Sequence, residues 1–313
     1  MKTRIVSGED GIREAAAILR AGGLAALPTE TVYGLGADAR NPAACAAIFE
    51  AKARPLSDPL IVHVPDRDWF EKLAVPDDLA MELARAFWPG PLTIVVRRRP
   101  EVPDIVTAGQ ETVAVRMSAH SVMAAVLAAL GGPVAAPSAN RFGRVSPTTP
   151  AHVLDELGGR IPLVLDGGPC SNGIESTIVA VHDGSLSILR PGPVAASELA
   201  RFARVTNPDP GLRAPGRMAS HYAPSTPVFL GGCDLPRGRC GQLAWSRAGE
   251  GYAACEVLAP DGNPATAAAG LYAALRRLDG LGLAAIIAEP PPPGELASAI
   301  ADRLRKAAAA AAN

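Results

Sequence analysis

Two cations stand two residues apart in Lys52-Ala53-Arg54-Pro55. Lysine presents a mobile point charge and arginine a planar fork, a division suited to a polyphosphate. Pro55 fixes the direction in which the chain leaves them. Upstream, Thr29, Glu30, Thr31 and Tyr33 cluster with Gly34 and Gly36. Their hydroxyls can bond a small polar ligand, and the glycines permit close approach or positive φ. Arg116 closes the apolar run Val113-Ala114-Val115, a position that faces either water or a carboxylate or phosphate. Ser138 and Asn140 follow another short apolar run, and Glu175-Ser176-Thr177 is paired in character with the strand-end Arg190. His63 closes a fourth run, where it can act as a general base, bond a substrate, or simply sit half-buried and satisfied.

Each cluster also has a plainer explanation. Turn hydroxyls satisfy local backbone groups, cations at a helix C-terminus suit its dipole, and Ser or Asn after a strand caps the next helix. What distinguishes the set is its placement. Four or five cationic or hydroxyl groups fall at the ends of predicted strands, where they can converge on one cleft and hold a nucleotide with a small zwitterion. Neither Gly-x4-Gly-Lys-[Ser/Thr] nor Gly-x-Gly-x-x-Gly at a strand-to-helix turn occurs, so a nucleotide would be bound by neither of those loops.

The elements that must position these groups follow from periodicity and punctuation. Helices are predicted over residues 11–21, 42–51, 77–87, 119–130, 150–157 and 197–202, with Gly22-Gly23 and Gly131-Gly132 as stops and Asn41 as an N-cap. Strands are predicted over 4–6, 24–27, 60–64, 92–96, 112–116, 134–136 and 163–166. Residues 176–181 and 186–189 read as a hairpin about Asp183-Gly184. Residues 206–227 are proline-rich and aperiodic, as a linker is. Beyond them the pattern is strand, strand, helix (264–278), strand (283–288) and helix (294–306), with an alanine tail, 307–312, expected to fray. The alternation implies an α/β protein with a mixed rather than purely parallel sheet.

Composition bounds the class. The chain has 313 residues, enough for one large domain or two ordinary ones, and 48% hydrophobic residues allow a large core. The formal net charge of -1 gives no whole-protein case for nucleic-acid binding. The five cysteines, widely spaced and without a Cys-x-x-Cys, read as free thiols in a reducing cytoplasm rather than a disulfide framework or zinc site. Neither a signal peptide nor a membrane span is expected.

Pro-Thr-Glu-Thr-Val-Tyr-Gly-Leu-Gly (28–36), Lys-Ala-Arg-Pro (52–55), Pro-Leu-Ile-Val-His (59–63), Val-Ala-Val-Arg (113–116) and Pro-Ser-Ala-Asn (137–140) together resemble the YrdC/Sua5 family in order and spacing. The linker motif His-Tyr-Ala-Pro (221–224), followed by a smaller α/β segment, resembles the full-length Sua5 type. The resemblance implies a twisted mixed-sheet YrdC-like catalytic domain over residues 1–205. A Pro-rich linker over 206–226 and a smaller C-terminal Rossmann-like α/β domain over 227–313 would follow. It implies a nucleotidyltransferase, L-threonylcarbamoyladenylate synthase, that converts L-threonine, bicarbonate or CO2 and ATP to threonylcarbamoyl-AMP and pyrophosphate for modification of adenosine 37 in tRNA. On the same resemblance Thr29, His63, Arg116 and Ser176 serve L-threonine. Lys52, Arg54, Thr112, Ser138, Asn140, Ser146, Arg190 and Tyr222 serve ATP, with Lys52 and Arg54 catalytic. Mg2+ would arrive with the ATP phosphates, without a dedicated protein metal site. Transient contact with downstream threonylcarbamoyl-transferase proteins is implied, and direct nucleic-acid or membrane binding is not. Arg217 stands where the family usually has Met. Two other readings use the same fold: an RNA-binding module around a cationic cavity, and a carbamoyltransferase, which normally carries further attached domains.

Overall fold

The computed structural model describes residues 2–209, 211–216 and 221–310; Arg217 lies outside them. The larger part runs β1 (Arg4–Val6), α1 (Gly8–Arg20), β2 (Ala25–Leu27), β3 (Gly34–Asp38), α2 (Pro42–Lys52), β4 (Ile61–His63), α3 (Asp68–Leu73), α4 (Asp78–Phe87), β5 (Leu92–Arg97) and α5 (Asp104–Thr107). It continues with β6 (Thr112–Arg116), α6 (Ser121–Leu130), β7 (Val134–Ala135), α7 (Pro150–Leu157), β8 (Leu163–Leu165), β9 (Thr177–His182), β10 (Ser185–Arg190), α8 (Ala196–Leu199) and β11 (Val205–Thr206). A smaller part follows: β12 (Val228–Leu230), β13 (Cys240–Ala244), β14 (Ala254–Val257), α9 (Pro264–Asp279), β15 (Ala285–Ala288) and α10 (Glu295–Ala309).

Local chemistry explains the helix starts. Asn41 Oδ1 accepts from the N–H groups of Ala43 (3.0 Å) and Ala44 (3.1 Å), and Pro42 opens α2 without losing an intrahelical donor. Asp77 caps α4 in the same way, at 2.8 Å from the Ala80 N–H. Thr149 precedes Pro150, and Asn263 precedes Pro264, at the starts of α7 and α9. Gly131, in the left-handed region at φ 71°, ends α6. The β9–β10 hairpin turns on Asp183 and Gly184, both at positive φ.

The first eleven strands form one mixed sheet in the order β1-β8-β2-β3-β7-β4-β6-β5-β9-β10-β11. A large apolar core, including Leu35, Ile48, Phe70, Ile94 and Val115, packs helices α2 to α5 and α7 against it. Leu19, Leu27 and Val126 build a second core beneath α1 and α6. The smaller part is a four-stranded parallel sheet, β12-β15-β13-β14. Its core is completed by Val32, Val145, Ile174 and Tyr222 from earlier in the chain, so the two sheets share one apolar seam.

Four expectations are corrected. The strand β3 was not expected: Gly34 and Gly36 lie in it, outside the positive-φ region, so that of the two readings of the glycines close approach holds. They are needed for close packing: a Cβ on Gly34 would come 3.1 Å from Ala136 Cβ, and one on Gly36 3.0 Å from Val134 Cγ1. The short helices α3 and α5 were not read from the sequence, being too brief to show a period. The smaller part has three strands, not two, ahead of its first helix. Finally, α10 continues through Ala307 to Ala309, because Ala307 is buried against the core of the smaller sheet.

Candidate active site

Strands β4 and β6 run parallel with His63 opposite Arg116, which fixes both side chains at one end of the sheet. The turn between β2 and β3 delivers Glu30 and Thr31 to the same place. Arg116 Nη1 donates to Thr31 Oγ1 (2.8 Å) and Nε to the Gly90 carbonyl (3.2 Å). Arg116 Nη2 lies 2.7 Å from Glu30 Oε1 as an ion pair, but neither atom makes an aligned hydrogen bond. The guanidinium is therefore neutralised and held on the wall of the site. Ser118 Oγ donates to Glu30 Oε2. Burial alone would raise the Glu30 carboxyl, but the Arg116 charge and the Ser118 bond bring it down to about 2. His63 is buried, with Nδ1 unpartnered among the described residues, and burial together with Arg116 lowers it to about 3. The ring is thus a neutral imidazole near pH 7.

The second group of charges gathers at the end of α2. Lys52 is the last residue of that helix, and Ala53 turns the chain through the left-handed region at φ 50°. Lys52 Nζ donates to the carbonyls of Ser138 and Asn140, and burial, then the neighbouring Arg54, pushes its pKa well down. Arg54 Nη2 lies 2.9 Å from Asp58 Oδ2 and donates to the Pro59 carbonyl at 2.7 Å. From the far side, Arg190 Nη2 donates to Ser176 Oγ (3.0 Å), Nε to the Ser176 carbonyl (3.1 Å) and Nη1 to the Pro215 carbonyl (3.3 Å). Ser176 Oγ also bonds Thr93 Oγ1 at 2.8 Å, across the parallel pair β5–β9.

Both groups border one cavity of about 510 Å³, counting its open mouth. Of the residues singled out from the sequence, Thr29, Arg54, His63, Arg116, Ser138, Ser176, Arg190 and Tyr222 line it. Lys52, Asn140 and Ser146 stand behind that wall. Asn140 Nδ2 donates to the carbonyls of Arg141 (2.8 Å) and Arg144 (2.9 Å), and Ser146 Oγ to Glu175 Oε1 (2.6 Å). Thr112 is not brought to this cavity. It sits at the opposite end of β6 from Arg116, roughly 13 Å away along the strand. Tyr222, at φ 60°, enters from the linker with its hydroxyl buried and unpartnered among the described residues, and burial holds it up at about 12. No cluster of three or more His, Cys, Asp or Glu side chains that could hold a metal occurs among the described residues. No helix among them is long and apolar enough to cross a membrane.

Two family models cover most of the chain. One, described as telomere recombination (the Sua5/YciO/YrdC model), matches residues 17–192, and the other, the C-terminal domain of threonylcarbamoyl-AMP synthase, matches 194–309. The threonylcarbamoyl-AMP synthase of Pyrococcus abyssi is 38% identical over 95% of this chain and 93% of its own length. That of Bacillus subtilis is 39% identical over 95% and 92%. The chain belongs to the Sua5-type threonylcarbamoyl-AMP synthase family. The fold agrees: P. abyssi Sua5 complexed with L-threonine superposes with a TM-score of 0.90, at 35% identity, over 99% of this chain and 98% of that one.

For a synthase of this family, sequence reasoning left several functional candidates without a role. Glu30 stood inside the first hydroxyl cluster, but its partner Arg116 is distant in the chain. Glu175 lines the cavity and is held by Tyr272 and Arg303 from the smaller part. His221, also on the cavity wall, packs edge-on against Tyr222 with ring centroids 4.2 Å apart. A charged residue next to a motif serine was a usable signal for Glu175; nothing in the local sequence marks Arg303.

Proposed function

We propose that this cavity joins L-threonine, bicarbonate or CO2 and ATP into threonylcarbamoyl-AMP and pyrophosphate, the nucleotidyl transfer that supplies tRNA A37 modification. The observation that carries the reading is the shared cavity itself. A neutralised, anchored Arg116 stands beside a neutral His63 at one end, and Arg54 and Arg190 stand at the other, in a fold shared with a threonine-bound relative.

In this reading the Arg116 guanidinium receives the threonine carboxylate, while Thr29, His63 and Ser176 orient its amine and hydroxyl. The amine nitrogen, once it has released its proton, adds to the carbon of CO2, breaking one C=O π bond, or to that of bicarbonate with loss of water, and gives the carbamate. A carbamate oxygen then attacks the α-phosphorus of ATP, and the bond to the β,γ-diphosphate breaks. Lys52, Arg54 and Arg190 offset the charge that builds on the phosphates, and Ser138, Asn140, Ser146 and Tyr222 frame the nucleotide. Mg2+ would enter with the phosphates and keep mostly phosphate and water oxygens as ligands. The chemistry requires no covalent intermediate on the protein. A reducing cytoplasm, with downstream threonylcarbamoyl-transferase proteins as consumers, suits the labile adenylate product.

The test is pyrophosphate release by purified protein with ATP, labelled bicarbonate and single amino acids. Release that depends on threonine, with label in an AMP adduct, is expected. Release indifferent to threonine, or salt-sensitive tRNA binding without release, would remove the reading.

A further inference from the structure

Glu175 is the one place where the wall of the cavity is held from the smaller domain by hydrogen bonds to an ionised group, among the described residues. Its Oε2 accepts from Arg303 Nε on α10 (2.7 Å) and from the Tyr272 hydroxyl on α9 (2.9 Å), and its Oε1 accepts from Ser146. All three partners are buried, Arg303 with 0% exposure. The next residue, Ser176, is the one that Arg190 and Thr93 grip. The same two groups of the smaller domain also meet Tyr222: the Arg303 guanidinium lies 5.2 Å from its ring centroid, and the Tyr272 ring stacks on it at 5.9 Å.

We propose that the C-terminal domain completes the catalytic site, with Arg303 and Tyr272 as positioning residues that fix Glu175 and, through it, Ser176 and Tyr222. The inference rests on the synthase reading and gives the second domain a part in it. The groups facing Glu175 are Arg303, Arg190 and His221 among the titratable ones, with Ser146, Tyr272 and Tyr222. Burial would raise its carboxyl, but Arg303, then Arg190 and the hydrogen bonds, hold it at about 2, and Arg303 is itself raised by Tyr222 and Glu175. Glu175 is therefore a carboxylate throughout the working range. Its acceptor geometry is constant only while Arg303 is present.

Removing Arg303 leaves a buried carboxylate without its main countercharge, and its pKa rises. In full-length Arg303→Met, kcat/KM should fall at least tenfold at pH 8. Part of the activity should return as pH is lowered toward 6 and Glu175 takes up a proton, a limb that the wild type lacks. In Arg303→Met/Glu175→Gln the new limb should vanish and activity at pH 8 should exceed that of Arg303→Met, because the isosteric amide needs no countercharge. Tyr272→Phe, which keeps the ring and both charges, should fold normally and lose about three- to tenfold in kcat/KM. Hydrogen exchange across residues 175–177 should quicken in Arg303→Met. A lower unfolding midpoint with an unchanged pH profile, or unchanged constants in Tyr272→Phe, would reduce the hub to packing and overturn the inference. Should Arg303→Met fail to fold, Tyr272→Phe and Arg303→Lys decide the matter by the same constants. A wild type without threonine-dependent release sinks the synthase reading alone, and unchanged exchange at 175–177 sinks the positioning role alone.

Discussion

The two ends of the cavity differ in how their charge is balanced. At one end Arg116 meets Glu30 and His63 is neutral, so the wall carries no net charge. At the other, Lys52, Arg54 and Arg190 gather around Asp58, while Glu175 is already engaged by Arg303. A zwitterionic amino acid needs a balanced pair, because an uncompensated cation would favour any anion over it. A polyphosphate needs surplus positive charge. In the proposed reaction the balanced end would discriminate and the cationic end would enhance the rate.

The largest expected effect breaks the cationic end. Lys52→Ala should lower kcat on the order of 100-fold or more while circular dichroism stays native, since in the proposed reaction Lys52 adds its charge to that of Arg54 and also holds the Ser138 and Asn140 carbonyls behind the wall; a variant with wild-type turnover would dissolve the contrast. At the balanced end, Arg116→Ala should raise KM for threonine roughly 10- to 100-fold and KM for ATP far less. Equal losses for both would contradict its carboxylate role. Glu30→Gln should act in the same direction, by about tenfold, because Arg116 loses the carboxylate that holds its guanidinium in place. The Glu30 pair also has a pH signature. The folded carboxyl lies at about 2 against an ordinary 4.5, so its stabilisation is present above pH 4.5 and is lost as pH falls toward 2. The shift corresponds to about 3 kcal/mol, and thermal unfolding between pH 5 and 3 should be visibly steeper in the wild type than in Glu30→Gln. The smallest effect is expected at Thr112. Because it lies away from the cavity, Thr112→Val should change both KM values by less than about twofold, and a large selective loss for ATP would extend the nucleotide end along β6.

Much of this arrangement was legible in the sequence where chemistry is local. Residues 112–116 and 150–157 were read to the residue, because an apolar run and a Thr-Pro start are complete signals in themselves. The strand Gly34–Asp38 was missed because glycine signals both positive φ and close packing, and only the neighbouring strand, with Ala136 against Gly34, shows which applies. The motif residues around the cavity were found from their types, yet Glu30, Glu175 and Arg303 were not given their roles. Their meaning lies in pairs formed across the fold, such as Glu175 with Arg303, 128 residues apart, and no local pattern encodes such a pair.

The strand order has a consequence for how the protein is made. β8 inserts between β1 and β2, pairing in parallel with both, although it is formed by residues 163–165. Until that segment is available, the first strand has no neighbour to receive it and the second keeps an open edge. Parallel insertions of this kind demand long loop closures before any contact rewards them. Refolding should accordingly be slow beside that of a helical protein of equal size, and the cavity should appear only after β8 has locked the edge of the sheet.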